Sequence, residues 1–240
     1  MGTYGYISII AMLCYGFMLL MFLTAKRNKI INSFLVVLTG LLFWTGGSAF
    51  MRAQLWPGCE FWYQVSLLGI LLLPYAYYRF ILAFGGEKNG LSGRIYFVIM
   101  LICFWVNAQF GVFLESPNMV EKNGAAAFVY EIKPSIIVFF IPAAIFLIHL
   151  FKVIVRICKN NPTMKVQYEP VMLGVLALFL GNAFLGIPFF SGFPIDILSG
   201  VVNVFLLFYA LIRRRLFRLQ MLASPSLCYG VGFLFSILVF

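Results

Sequence analysis

The chain is punctuated by apolar runs close to twenty residues long, and that one feature excludes most folds. The hydrocarbon layer of a bilayer is about 30 Å thick and a helix rises about 1.5 Å per residue, so roughly 20 apolar residues cross it. Runs of this kind occupy 4–24, 30–51, 61–84, 95–114, 135–152, 171–190 and 195–212, and a charge-free run, 221–240, closes the sequence. Barrel strands alternate apolar and polar residues, whereas these runs are apolar throughout. At 63% hydrophobic and 10% charged residues, the 240-residue chain carries more apolar surface than its own interior can hide. The expected fold is an all-α polytopic membrane bundle of seven spans plus an eighth.

The connections between runs fix the expected orientation, because Lys and Arg accumulate on the cytoplasmic side. Lys26, Arg27 and Lys29 give the first connection +3; the third, with Lys88 and Arg94 against Glu87, carries +1. The fifth, 152–170, carries +3, and the seventh, 213–220, carries +4 from four arginines. The even connections, 52–60, 115–134 and 191–196, carry 0, −1 and −1. One face is thus basic and the other is not, which places the N-terminus outside. The first run is not a cleavable signal, since no charge precedes it and the basic cluster follows it.

The ionisable complement is sparse. One histidine and seven acids leave little for acid–base or metal chemistry, and no nucleophile elbow, zincin pair or phosphate-cradling loop occurs. Neither a catalytic site nor a cofactor is expected. The five cysteines fall mostly in apolar runs and have neither disulfide nor zinc spacing. Arg79 and His149 lie near the inner ends of their spans. A snorkelling side chain accounts for the first and helix packing for the second. Trp56, Trp62 and Tyr63 fit a headgroup-level aromatic belt.

The uncharged polar residues are more informative. Asn107, Asn182 and Asn203 each sit well inside a span. Such amides commonly tie helices together, contributing roughly 0.6 kcal/mol each. They also suit a cavity between helices, open to the outside, with Trp44 and Trp105 as apolar walls. The connection 115–134, "ESPNMVEKNGAAAFVYEIKP", is long enough to fold over such a cavity as a short lid.

In "FYALIRRRLFRLQ" the seventh run ends and Arg213, Arg214, Arg215 and Arg218 follow. Ile212, Leu216 and Leu219 share one face of a helical wheel opposite most of the arginines, as an amphipathic helix at the inner surface would have them. These arginines are the expected point of signal transmission. Together with "RNKIINSFLVVLTGLLFW", where Asn32 precedes a run ending in Trp44, and "FWYQVSLLGILLLPYAYYRFILAFGG", the closing stretch from Tyr209 to Phe217 resembles the N-terminal seven-span region of bacterial sensor histidine kinases. The resemblance covers about residues 4–217. It implies a receptor-like input module in the bacterial inner membrane, joined to a cytoplasmic signalling domain that this chain does not contain.

Two segments follow: a sensor-like module, 1–220, and an eighth crossing, 221–240, after a tight hairpin favoured by Pro225. The charge-free end at Phe240 implies continuation of the sequence, because a carboxylate within lipid is costly. The expected partners are the bilayer, its anionic headgroups at about 1 kcal/mol per basic residue, and a small-molecule or peptide ligand. A second copy of the chain, in a homodimer, is a further expected partner. Nucleic acid is not one, since no continuous basic face exists to lie along a duplex. The competing reading is a membrane-embedded subunit or carrier packed against a partner protein.

Overall fold

The computed structural model describes residues 5–87, 90–122, 125–129, 133–184 and 195–212. These form helices α1 (Gly5–Leu23), α2 (Lys29–Arg52), α3 (Cys59–Phe84), α4 (Leu91–Phe110), α5 (Ile137–Asn160), α6 (Pro162–Phe184) and α7 (Ile195–Ile212). Six are long and apolar enough to cross a membrane by length and composition, and α7 is a shorter apolar helix. In hydrocarbon every backbone N–H and C=O must be satisfied within its own segment, which is why apolar runs become helices and not open strands.

Each helix touches its neighbour in sequence and α7 returns to α1, so the helices form a closed ring. Within it α2 and α3 are the most enclosed, with 67% and 56% of their apolar windows buried against 28% for α1. Additional contacts of α3 with α5 and of α2 with α7 fill the centre. Buried tyrosines tie the ring across helices. The Tyr96 hydroxyl of α4 donates to the Leu71 carbonyl of α3 at 3.3 Å, and that of Tyr168 in α6 donates to the Ile81 carbonyl at 3.0 Å.

Several boundaries differ from the apolar runs, for physical reasons. The connection 152–170 is almost wholly helical: α5 continues to Asn160 and α6 starts at Pro162. An apolar window reports where lipid ends and not where the helix does, and the extensions carry Lys152, Arg156, Lys159 and Lys165. Arg156 reaches Glu87, in the turn after α3, at 2.5 Å. At the opposite end α4 stops at Phe110, four residues before its apolar run does. Gly111 there adopts φ +58, in the left-handed region, and its N–H caps the Asn107 carbonyl. The connection read as an irregular lid contains an antiparallel β-hairpin, β1 (Asn118–Lys122) with β2 (Ala125–Val129), Asn118 facing Val129 and Lys122 facing Ala125. The proposed eighth crossing and the four arginines at 213–218 lie outside the described residues.

Glycine makes the central pair possible. A Cβ on Gly47 would stand 2.7 Å from the Ser66 N and the Trp62 O, and one on Gly69 would stand 2.5 Å from the Trp44 N and 2.8 Å from the Gly40 O. The α2 and α3 backbones are therefore in direct contact, and the Ser66 hydroxyl closes the seam by donating to the Trp44 carbonyl at 2.9 Å. Gly46, one residue away, faces α1, where a Cβ would meet the Met12 Sδ at an ordinary 3.5 Å. Gly47→Ala and Gly69→Ala are therefore expected to destabilise the protein by about 1–3 kcal/mol through forced separation of α2 and α3. Gly46→Ala should be neutral or slightly stabilising, given the helix propensity of alanine. Thermal unfolding of the three variants in one detergent distinguishes the cases.

Candidate functional site

A cavity of about 230 Å³ lies inside the ring, toward the end that carries the β-hairpin. One wall is α3, from Tyr63 through Ser66, Leu67 and Pro74 to Tyr77; Trp44 of α2 flanks it. The opposite walls are Phe139, Phe140 and Ala143 of α5 and Leu178, Phe179 and Asn182 of α6. Asp196, in the first turn of α7, completes the hairpin end, and Tyr96 of α4 lines the deeper part. Pro74 has no N–H to return to the Ile70 carbonyl, so α3 is relaxed where it borders the space.

The roof is built from the chain after α4. Leu114 and Ile136 both line the cavity. Asn107, 1% exposed, holds the roof down: its Nδ2 donates to the Leu114 O at 2.9 Å, and its Oδ1 accepts from Phe113 N at 3.0 Å and from Leu114 N at 2.9 Å. The Tyr63 hydroxyl also donates to the Leu114 carbonyl, at 3.1 Å. Ser135 donates to the Val112 carbonyl at 2.7 Å, and Lys133 pairs with Glu115, so both ends of the connection are pinned together.

The floor is a polar junction of three helices. Tyr77 lines the cavity and donates to the Asn203 Oδ1 at 3.2 Å. Tyr15 of α1 lies 2.9 Å from the same oxygen and 2.7 Å from the Gly200 carbonyl, its single proton shared between them. Asn203 is fully buried, with its Nδ2 packed on Gly174 of α6, where a Cβ would be only 2.6 Å away. No acceptor for that Nδ2 is found among the described residues.

The residues expected from the sequence are thus distributed over distinct places. Trp44 and Asn182 line the cavity, Asn107 fastens its roof, and Asn203 lies behind its floor. Trp105 is 61% exposed on the outer surface of α4 and borders no part of the cavity. Tyr63 turns inward, whereas Trp56 is fully displayed and Trp62 caps its own turn through Nε1 to the Leu55 carbonyl at 3.2 Å. His149 meets the Ser92 Oγ at 3.1 Å and packs beside Tyr78, while the exposed Arg79 leans over the Tyr75 ring. Arg213, Arg214, Arg215 and Arg218 lie outside the described residues.

Sequence reasoning missed Asp196, Tyr15 and Tyr77. Asp196, in the sequence the charge of the connection 191–196, is 6% exposed and, among the described residues, the one formally charged side chain lining the cavity. The Arg52 guanidinium at the end of α2 acts on its carboxylate. A carboxylate in the first turn of a helix is also favoured by the helix dipole. A signal was present: Asp196, Ser199, Gly200 and Asn203 recur at helical spacing on one face of α7. Among the described residues no group of His, Cys, Asp or Glu is placed to hold a metal ion.

A family model described as the N-terminal 7TM region of histidine kinase matches residues 7–220, from the first turn of α1 through the basic segment after α7. No curated protein and no solved structure matches the chain.

Replacing Asn107 by Ala removes all three of its bonds to the roof while leaving the walls intact. Leaving Leu114 and Phe113 without those partners costs about 1–3 kcal/mol locally. Hydrogen exchange at the Phe113 and Leu114 amides should rise by at least about tenfold, with exchange in the α2–α3 core unchanged.

Proposed function

The chain belongs to the family of N-terminal 7TM regions of histidine kinase, and from that membership we propose that it is a membrane sensory input module whose cavity receives a small ligand. The hairpin end faces the outside of a bacterial inner membrane and the basic end faces the cytoplasm. The asymmetry of charge supports this orientation, as does the placing of the roof on the end poor in Lys and Arg. Catalysis belongs to the signalling domain that such a module serves, and nothing in the cavity resembles a reacting site.

One observation carries the reading: Tyr77 belongs to both the cavity and the polar junction. Its ring borders the ligand space and its hydroxyl holds Asn203 of α7. A ligand acts on a conformational equilibrium only if it binds the two states with different affinity. A residue that must move to admit a ligand, and that is bonded to another helix, supplies such a difference. From Asn203, α7 leads to Ile212 and directly into the four arginines that follow. These arginines are the point of exit to the effector.

Two measurements test the proposal. A reporter active only outside the membrane should be active when inserted between Lys122 and Ala125 and inactive when inserted after Asn161; the reverse pattern refutes the orientation. In a fusion through Gln220 to a histidine-kinase catalytic region, Tyr77→Phe and Asn203→Ala should each change basal autophosphorylation by several-fold, on the order of 1 kcal/mol of coupling. Trp105→Ala, on the outer surface, should not. Equal output from all four proteins would rule out the Tyr77–Asn203 route.

A further inference from the structure

Resting on the reading that the cavity is the ligand site, we infer that the ligand is a small apolar amine bound as its cation, with the ammonium group directed to Asp196. The polar lining is biased toward acceptors. Among the described residues four hydroxyl-bearing side chains line the cavity, and each already gives its proton to the protein: Tyr63 to the Leu114 carbonyl, Ser66 to the Trp44 carbonyl, Tyr77 to the Asn203 Oδ1 and Tyr96 to the Leu71 carbonyl. A hydroxyl whose proton is spent offers a ligand only lone pairs.

A further acceptor lies beside them: Asn182 commits one amide hydrogen to the Leu178 carbonyl, which leaves its oxygen for a ligand. Among the described residues Asp196 is the strongest acceptor and the one full charge on the lining. Among the described residues the remaining side-chain donors are neutral and few: the second amide hydrogen of Asn182 and the Trp44 indole N–H. A ligand made of acceptors would find little to bond with, and an anion would be opposed by Asp196. A ligand bringing hydrogens and positive charge would be matched.

Arg52 acts on the same carboxylate but from outside the cavity lining. A carboxylate has about four acceptor sites, so an arginine-facing group retains an edge for an ammonium. The walls also suit a cation, since aromatic faces attract one within about 6 Å of the ring centre. Size limits the rest of the molecule. A dry cavity of about 150 Å³ accepts benzene, so a cavity of about 230 Å³ takes one ring, or a branched chain of that bulk, with a short arm.

The test compares three probes that share a phenyl ring and differ in head group: 2-phenylethylamine, 2-phenylethanol and 3-phenylpropanoate. Binding to the full chain in lipid nanodiscs is measured by calorimetry against empty nanodiscs, which subtracts partition into lipid. The amine is expected to bind at least about tenfold more tightly than the alcohol, with the propanoate weakest. Asp196→Asn should erase that preference, and Ala143→Phe, which fills the cavity, should weaken every probe that binds. The preference is read on the unaltered protein, so a misfolded variant does not leave the inference untested.

If the alcohol or propanoate binds as well as the amine and Ala143→Phe still blocks it, the cavity is a ligand site and the amine assignment is wrong. If no probe binds, or none responds to Ala143→Phe, the assignment and the cavity reading fall together.

Discussion

The direct backbone contact between α2 and α3 is the interaction on which the rest of this bundle depends. In a bilayer the lipid tails are as apolar as leucine, so helices gain nothing by hiding apolar side chains from their surroundings. Association then rests on close packing and interhelical hydrogen bonds, and both concentrate here. Gly47 and Gly69 let the backbones touch, and the Ser66 hydroxyl fixes the register by bonding the Trp44 carbonyl. That register brings Trp44 of α2 and Tyr63, Leu67 and Tyr77 of α3 to the same cavity, and so defines two of its walls. From α3 three further helices are attached one hydroxyl at a time: α4 through Tyr96, α6 through Tyr168 and α7 through Tyr77. A spacing error of one methyl group at the seam would displace each of those bonds.

The helical runs were legible because lipid leaves a segment no other way to satisfy its backbone. Ile137–Asn160 and Pro162–Phe184 exceed their apolar runs only because charged residues extend a helix past the membrane edge without changing its hydrogen bonding. Which face of each helix turns inward was not legible, for the same physical reason. Core and lipid are both apolar, so Trp44 and Trp105 look alike in sequence although one packs on Gly200 and the other is exposed. In a soluble protein the exposed residue would have been polar, and the distinction would have been visible. The polar residues inside the runs have places of their own: Asn182 lines the cavity, Asn107 fastens its roof and Asn203 lies behind its floor. Asn203 bonds Tyr15, 188 positions away, and no local pattern encodes such a pairing.

The glycines held more information than they yielded. Gly174 and Gly181 are two turns apart on α6 and face Asn203 and Ser199, which are four residues apart on α7. Small residues opposite small polar ones mark a close helix pair in membranes. Glycines inside a span can mark a bend or a close approach of two helices. Here they are points where another helix arrives, with Gly111 as an example of a glycine whose backbone conformation itself matters.

The geometry of α7 connects the two ends of the molecule without a chain of separate steps. Asp196 at the cavity and Asn203 at the polar junction lie seven residues apart, about 10 Å along one face of a continuous helix. Within hydrocarbon a broken helical hydrogen bond finds no water to replace it, at a cost of several kcal/mol, so such a helix moves as a unit before it bends. A displacement at Asp196 is therefore taken up by rotation or sliding of the whole of α7 against its neighbours. The resistance comes from the bonds of Tyr15 and Tyr77 to Asn203 and Gly200, worth about 1 kcal/mol each. That is small beside the energy that holds the helix straight and comparable to what a modest ligand supplies. The polar junction is thus the weakest element between the cavity and the far end of α7, and in the proposed sensory module it is the one a ligand would reset.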